Sequence, residues 1–425
     1  MPEIFQLENQ GHSSPGREVI KVLGVGGGGC NALNHIIRGH VCGVEFIAAN
    51  TDKAHLDIVD SPVKIMLGRE LTRGLGAGAD PNVGEKAAVE AREELRAALD
   101  GADMIFIAAG MGGGTGTGAS PVIASIARET GALVVAVVTR PFSFEGKRRT
   151  NLSEEGIGKL KEQVDALIVI PNDKLLLVSD KRTPVNKAFE LADNVLHQAV
   201  QGVTDLILRP GTVNVDFADV RTIMSSAGSA IMGIGEGYGE NRVATAAHNA
   251  INSPLMEAPM IGAKRVLFNV TGSSKLGIHE VEEAAQIINN ASDKDVNLIW
   301  GQVFDPDMED MVRITIIATD FEESAIYAAS GSRGKNASFL ERAADLELQK
   351  PSSMTITGAA VAASGGAAPA QAGDVKGTES FKGRSDIGET AVMFSGFPDD
   401  ENLFSSQGIP QDQLDIPSYI RRKKL

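Results

Sequence analysis

The chain has 425 residues, more than one hydrophobic core holds, and about 150 residues per domain gives two or three domains. Hydrophobic residues at 43% exclude a wholly disordered chain, and a net charge of −15 excludes nucleic acid or unaided adhesion to anionic membrane, both of which need a basic surface. Only Cys30 and Cys42 occur, MPEIFQLENQ is no signal peptide and no apolar run reaches about 18 residues, so a soluble cytoplasmic protein without disulfides is expected.

The first half alternates strand and helix in the manner of a doubly wound parallel α/β sheet. Strands are expected at Val19–Leu23, Glu45–Ala49, Val63–Leu67, Met104–Ala109, Leu133–Val138 and Leu167–Ile170. The run VVAVV at 134–138 is continuously apolar and mostly β-branched, as in a strand buried on both faces. A helix is expected to begin near Cys30, and another to cover Val83–Leu99. A long helix is expected from Thr183, with Thr183 as N-cap and Pro184 at its first position, ending near Gly202 or a little beyond. A second α+β region follows, with strands at Val266–Val270, Val296–Phe304 and Val312–Thr319 and a helix over His279–Asn289. Beyond about 335 the sequence turns Ala/Gly-rich and loses periodicity, which predicts a flexible linker. Complexity returns in DIPSYIRRKKL, which reads as a docking peptide or as a frayed end.

Two glycine-rich loops carry the chemistry. Gly24–Asn31 reads GVGGGGCN after a strand and satisfies G-x-G-x-x-G, with Asp52 near the spacing of a ribose-binding acid. That loop alone is ambiguous between NAD, FAD, other nucleotides and a ligand-free turn. The second, Gly110–Gly118, reads GMGGGTGTG, and five of the seven residues from Gly112 are glycine. No packing need is expected to explain that density, whereas free N–H groups with the hydroxyls of Thr115 and Thr117 suit a chain of phosphates. No P-loop motif is present. Zinc at Cys30, His35, His40 and Cys42 is not expected, because five-residue steps on a helix turn about 140° each and separate the ligands.

The run GGGTGTG with NVDFADVR (214–221), NTD (50–52), GLGAGADP (74–81), RPFSFEGKRR (140–149) and IPNDKLL resembles the tubulin superfamily, in particular the FtsZ family of bacterial cell-division GTPases. The resemblance spans roughly 18–320 and returns at 415–422. It implies an N-terminal arm (1–17), a GTP-binding domain (18–182), a central helix (183–210), a smaller α+β domain (211–320), a linker (321–411) and a partner-docking peptide (412–425). It places GTP or GDP, with Mg2+, on Gly27, Gly28, Gly29, Cys30 and Asn31, and on Gly112, Gly113, Gly114, Thr115, Gly116, Thr117 and Gly118. Glu145 and Arg149, i and i+4 on a helical segment, would meet ribose and phosphates. Phe189 would stack on guanine while Asp193 accepts its two adjacent donors. Cys30 departs from the family, where many members carry Gly, and its place at a helix start could lower the thiol pKa.

Asn214, Asp216 and Asp219 would polarise the attacking water in the pocket of the next subunit. Read alone, the same residues suggest only a helix cap, Asp219 capping a helix from 220 onward. The resemblance further implies a head-to-tail homopolymer at the division site, with residues 415–422 docking on membrane-anchoring proteins such as FtsA and other regulators binding elsewhere. Membrane contact would be indirect. Rival readings are an NAD-dependent oxidoreductase built on the first loop, and a non-hydrolysing or plasmid-partition filament. The first leaves GGGTGTG unexplained, and Asp216, Asp219 and the tail peptide weigh against the second.

Overall fold

The computed structural model describes residues 18–321, apart from Cys42, Lys181, residues 210–212, Asn214, Pro254 and Glu257, with Val178 described by its backbone only. The arm, the linker beyond Phe321 and the docking peptide lie outside the described residues.

The first region runs β1 (Ile20–Val25), α1 (Gly26–Arg38), β2 (Val44–Asn50), α2 (Lys53–Asp57), β3 (Val63–Met66) and α3 (Arg69–Thr72). It continues with α4 (Pro81–Glu90), α5 (Arg92–Leu99), β4 (Met104–Gly110), α6 (Thr115–Glu129) and β5 (Leu133–Arg140). Then come α7 (Lys147–Lys161), β6 (Ala166–Pro171), α8 (Asn172–Val178) and the long α9 (Val185–Leu208). The second region comprises α10 (Phe217–Met224), β7 (Gly228–Tyr238), α11 (Arg242–Ile251), β8 (Arg265–Gly272), α12 (Ile278–Ala291), β9 (Asn297–Phe304) and β10 (Met311–Thr319).

One sheet has the order β3-β2-β1-β4-β5-β6-β7-β10-β8-β9. β1 to β6 are parallel, β6 joins β7 in parallel, and β10 pairs antiparallel with both β7 and β8. Alternate residues of the parallel strands enter opposite cores, which is why these strands read as continuous apolar runs. Val22, Phe106 and Val135 pack with Leu33 and Ile36 of α1 and Leu196 of α9, while Leu23, Ile107 and Val134 pack with Leu95, Ile123 and Ile126. A third core, around Phe268 and Ile314, holds α11 and α12 on the second region.

Several expectations need correction. α1 begins at Gly26, not near Cys30, because the first helical turn is made of the glycines themselves. The stretch read as one helix is two, broken at Ala91, and Asp80 caps α4 by accepting from Asn82 N–H. α9 begins after Pro184 with no side-chain cap, so Thr183 is not its N-cap, and it runs on to Leu208. Asp216, not Asp219, caps α10. β7 and α11 were not anticipated. Gly233, Gly235 and Gly237 alternate on one face of β7, and a Cβ there would lie 2.2, 2.1 and 1.9 Å from carbonyl oxygens of Ala250, Ala246 and Arg242. The bare face of β7 therefore lets α11 lie flush on the strand.

Candidate functional site

Leaving β1, the chain winds outward through β2 and β3, then crosses back to β4 on the other side of β1. A crevice therefore opens beyond the carboxyl ends of β1 and β4, the place where open α/β sheets bind ligands. Both glycine loops lie there, and α1 and α6 start from them with no acidic residue in either first turn to oppose an anion. The loops touch: a Cβ on Gly26, whose φ is 70°, would lie 2.9 Å from Gly116 N.

The glycines of the second loop divide into two groups, which corrects the expectation that packing explains none of them. A Cβ on Gly114 would lie 2.8 Å from Ala77 Cβ, on Gly116 2.5 Å from Gly110 O and on Gly118 1.9 Å from Pro81 O, so these seat α6 against β4 and α4. Gly113 and, in the first loop, Gly27 face open space. Those two leave backbone accessible to a ligand without any packing reason. Thr117 Oγ1 accepts from Gly112 N–H at 2.8 Å and shapes the loop, while Thr115 Oγ1 lies 2.6 Å from Thr51 Oγ1 at the end of β2.

A polar chain that sequence reasoning missed runs beside α1. Asn50 Nδ2 lies 3.1 Å from His55 Nδ1, and His55 Nε2 lies 2.9 Å from Asn31 Oδ1. An amide N–H donating to Nδ1 puts the ring proton on Nε2, which then donates to Asn31 and fixes that amide. The signal was present only as the NTD match. Asp52 caps α2 by accepting from His55 N–H at 3.1 Å. Cys30 is buried, with Sγ 3.6 Å from Gly24 O, and burial pushes its thiol up to about 12, the reverse of the expected lowering. Only its backbone can meet a ligand.

Glu145 and Arg149 form an ion pair, and Glu145 Oε1 also accepts from Phe142 N–H at 2.9 Å. They do not share one helix as expected: Gly146, with φ 98°, separates the 3-10 turn Ser143–Glu145 from α7. Phe189 and Asp193 do share a face of α9. The Phe189 ring is 40% exposed and meets the buried Phe142 edge-on, with centroids 5.3 Å apart. Asp193 Oδ2 lies 3.9 Å from His35 Nε2, and burial, with Glu190 nearby, pushes its carboxyl up to about 7. One turn on, burial first and then His35 and Arg313 lower the His197 pKa.

Asp216 and Asp219 lie elsewhere. Asp216 Oδ1 accepts from Asp219 N–H at 2.8 Å, and Arg221, on the same short helix, donates to Gly131 O just before β5. The other end of β5 meets the second loop, where Met111 N–H donates to Thr139 O at 2.9 Å. Eight residues of strand at about 3.3 Å each put roughly 25 Å between the two ends. No side chain of α10 spans that distance. Asn214 lies outside the described residues.

A parallel sheet with two glycine loops at its switch point and a long helix beside them defines a nucleotide-binding protein. Residues 19–180 match the Tubulin/FtsZ family GTPase domain and residues 228–322 the FtsZ family C-terminal domain. The chain is 42% identical to an M. jannaschii FtsZ solved as an empty dimer, over 72% of this chain and 88% of that one, with a TM-score of 0.69. A point mutant of M. jannaschii FtsZ matches at 42% identity over 72% and 92% of the two chains, again with a TM-score of 0.69. CetZ2 from Haloferax volcanii, solved as a GTPγS-bound protofilament, shares the fold at 20% identity, over 73% and 97% of the chains, with a TM-score of 0.63. The class is that of the tubulin-like GTPases. This chain belongs to the FtsZ family, and GTP and GDP are its ligands.

Proposed function

We propose that this GTPase polymerises head to tail into the cytokinetic ring, and that each subunit hydrolyses its GTP with acids supplied by the next. The supporting observation is the separation across β5. The loops that suit phosphates and the acids that suit a water lie at opposite ends of the parallel strands, beyond reach within one chain. A surface carrying the nucleotide and a different surface carrying the acids make a heterologous contact, and such contacts propagate into open filaments. Asp216 and Asp219, with Asn214, would orient and polarise the attacking water across that contact.

Within one subunit, the N–H groups at Gly27–Asn31 and Gly112–Gly118 would hold the phosphates. Glu145 and Arg149 would meet ribose and phosphate, Phe189 would stack on the base, and Asp193 would accept two guanine donors. Mg2+ keeps several waters and binds largely through substrate phosphates. Thr115, whose hydroxyl lies at the start of α6 beside the phosphate loop, is the hard oxygen donor that would face a phosphate-bound Mg2+, which neutralises phosphate charge when bound. Residues 415–422 would tie the filament to a membrane-anchoring protein such as FtsA in the cytoplasm at the division site, with other regulators acting on the filament. Among the described residues no helix is long and apolar enough to cross a membrane.

GTPase rate against protein concentration tests the reading. Activity per subunit is expected to rise with concentration, and Asp216→Ala is expected to remove most turnover with GTP affinity near normal. Constant activity per subunit, or collapse of GTP affinity in that variant, would place the acids in their own chain's pocket. Deleting 412–425 is expected to preserve turnover while abolishing recruitment to anchor-coated vesicles.

A further inference from the structure

A basic pocket lies behind the wall of the nucleotide crevice and serves none of the roles above. It is an open groove of about 560 Å³ between α2, β3 and α3, with Leu56 and Met66 in its lining. Lys53, Lys64, Arg69 and Arg73 ring it, against Asp57 alone, on a chain whose net charge is −15. Lys64 Nζ donates to Asp57 O at 2.9 Å, which holds it at the rim, and Arg69 reaches Glu94 at 3.3 Å. Lys53 and Arg73 have no acidic partner among the described residues. A concave site in which cations predominate concentrates field and counter-ions more than scattered surface lysines do.

The backbone supplies an independent observation. Arg73 has φ 52°, the left-handed region, where a long side chain is disfavoured and Gly or Asn would sit without strain. Its planar guanidinium is also the group best suited to two oxygens of one phosphate. The wall between this pocket and the nucleotide crevice is one layer of backbone: Lys53 N–H donates to Gly74 O, and Gly76 N–H donates to Thr51 O, both at 3.1 Å. On the far side of that wall Thr51 meets Thr115.

We propose that this pocket is a binding site for a small, multiply charged phosphate oxyanion, distinct from the nucleotide site and sharing a wall with it. Charge sets the choice: Lys53, Lys64 and Arg73, none of them in an ion pair among the described residues, favour pyrophosphate over the less charged orthophosphate.

The test is calorimetric titration of inorganic pyrophosphate into the full chain saturated with GDP, without divalent cations, with orthophosphate as competitor. One saturable site per chain is expected, with affinity lowered tenfold or more in Lys53→Ala/Arg73→Asn while GDP affinity stays within twofold. Asn tolerates the left-handed backbone, and Lys53→Ala alone, at an exposed position, gives a second reading that does not depend on the strained residue. Absence of binding to the GDP-saturated wild type would overturn the proposal, as would unchanged binding by the double variant. An equal loss in Lys264→Ala/Lys294→Ala, far along the chain and exposed, would reduce it to diffuse surface charge and overturn it as well.

Discussion

At Asp193 burial and recognition oppose each other. The side chain is 15% exposed, and withdrawal from water favours the neutral acid, which raises the carboxyl to about 7. Only the ionised form accepts both guanine donors, so GDP affinity should rise with pH through that value and level off above it. At pH 6 about one carboxyl in ten is ionised, which predicts affinity about tenfold weaker than at pH 8. Titration of GDP into wild type and Asp193→Asn checks this, because only the wild type should show that dependence beyond any phosphate titration. For the free protein the sign is opposite. A folded-state pKa above the unfolded value gives stability that is complete below about pH 4 and lost as pH rises through about 7. Asp193→Ala should weaken GTP by about 1–3 kcal/mol, the range for a charged hydrogen-bond partner, and leave ATP binding little changed. None of this was legible from residue types. Phe189 and Asp193 read as core and solvated helix face until the resemblance supplied roles, and nothing in GGGGCN signals that Cys30 points into the core.

The strands of the parallel half could be placed from pattern because each is a continuous apolar run bounded by turns, and boundaries erred by a residue or two. β7 was missed for a physical reason. GSAIMGIGEGY has glycine at 233, 235 and 237, three successive positions of one face where a strand would show β-branched residues, because that part of the face is filled by the backbone of α11. Glycine density thus carries two meanings, ligand approach and helix approach, and composition does not separate them. Substitution does. Gly118→Ala would place Cβ 1.9 Å from Pro81 O and 2.7 Å from Glu85 N and should destabilise the fold by about 1–3 kcal/mol, the usual cost of overpacking, read from denaturant midpoints. Gly113→Ala meets nothing within 4 Å and should leave the midpoint in place. If Gly113 is bare so that phosphate can approach, its GTP affinity should fall instead. A stable Gly118→Ala chain would mean that α4 and α6 part more easily than their flush packing indicates.

Whole-molecule geometry decides whether the acids of α10 act at all. Asp216 and Asp219 lie at the end of β5 remote from the loops, so a chain alone pairs its nucleotide with no general base of that kind. In the proposed head-to-tail filament each crevice would meet the next chain's α10, and every interior subunit would be both donor and acceptor. Two defective chains should therefore repair each other. A chain carrying Asp216→Ala keeps its pocket and lacks the acid, while Phe189→Ala/Asp193→Ala lacks the base contacts and keeps the acid. Each alone should turn over little GTP. In an equal, randomly ordered mixture about one contact in four joins an intact pocket to an intact acid, which predicts about a quarter of wild-type turnover. The yield should fall on either side of the equal ratio, as the product of the two fractions requires, and phosphate release across a mixing series measures it. Activity equal to the sum of the separate chains at every ratio would mean that pocket and acids must belong to one subunit, and shared-site hydrolysis would have to be abandoned.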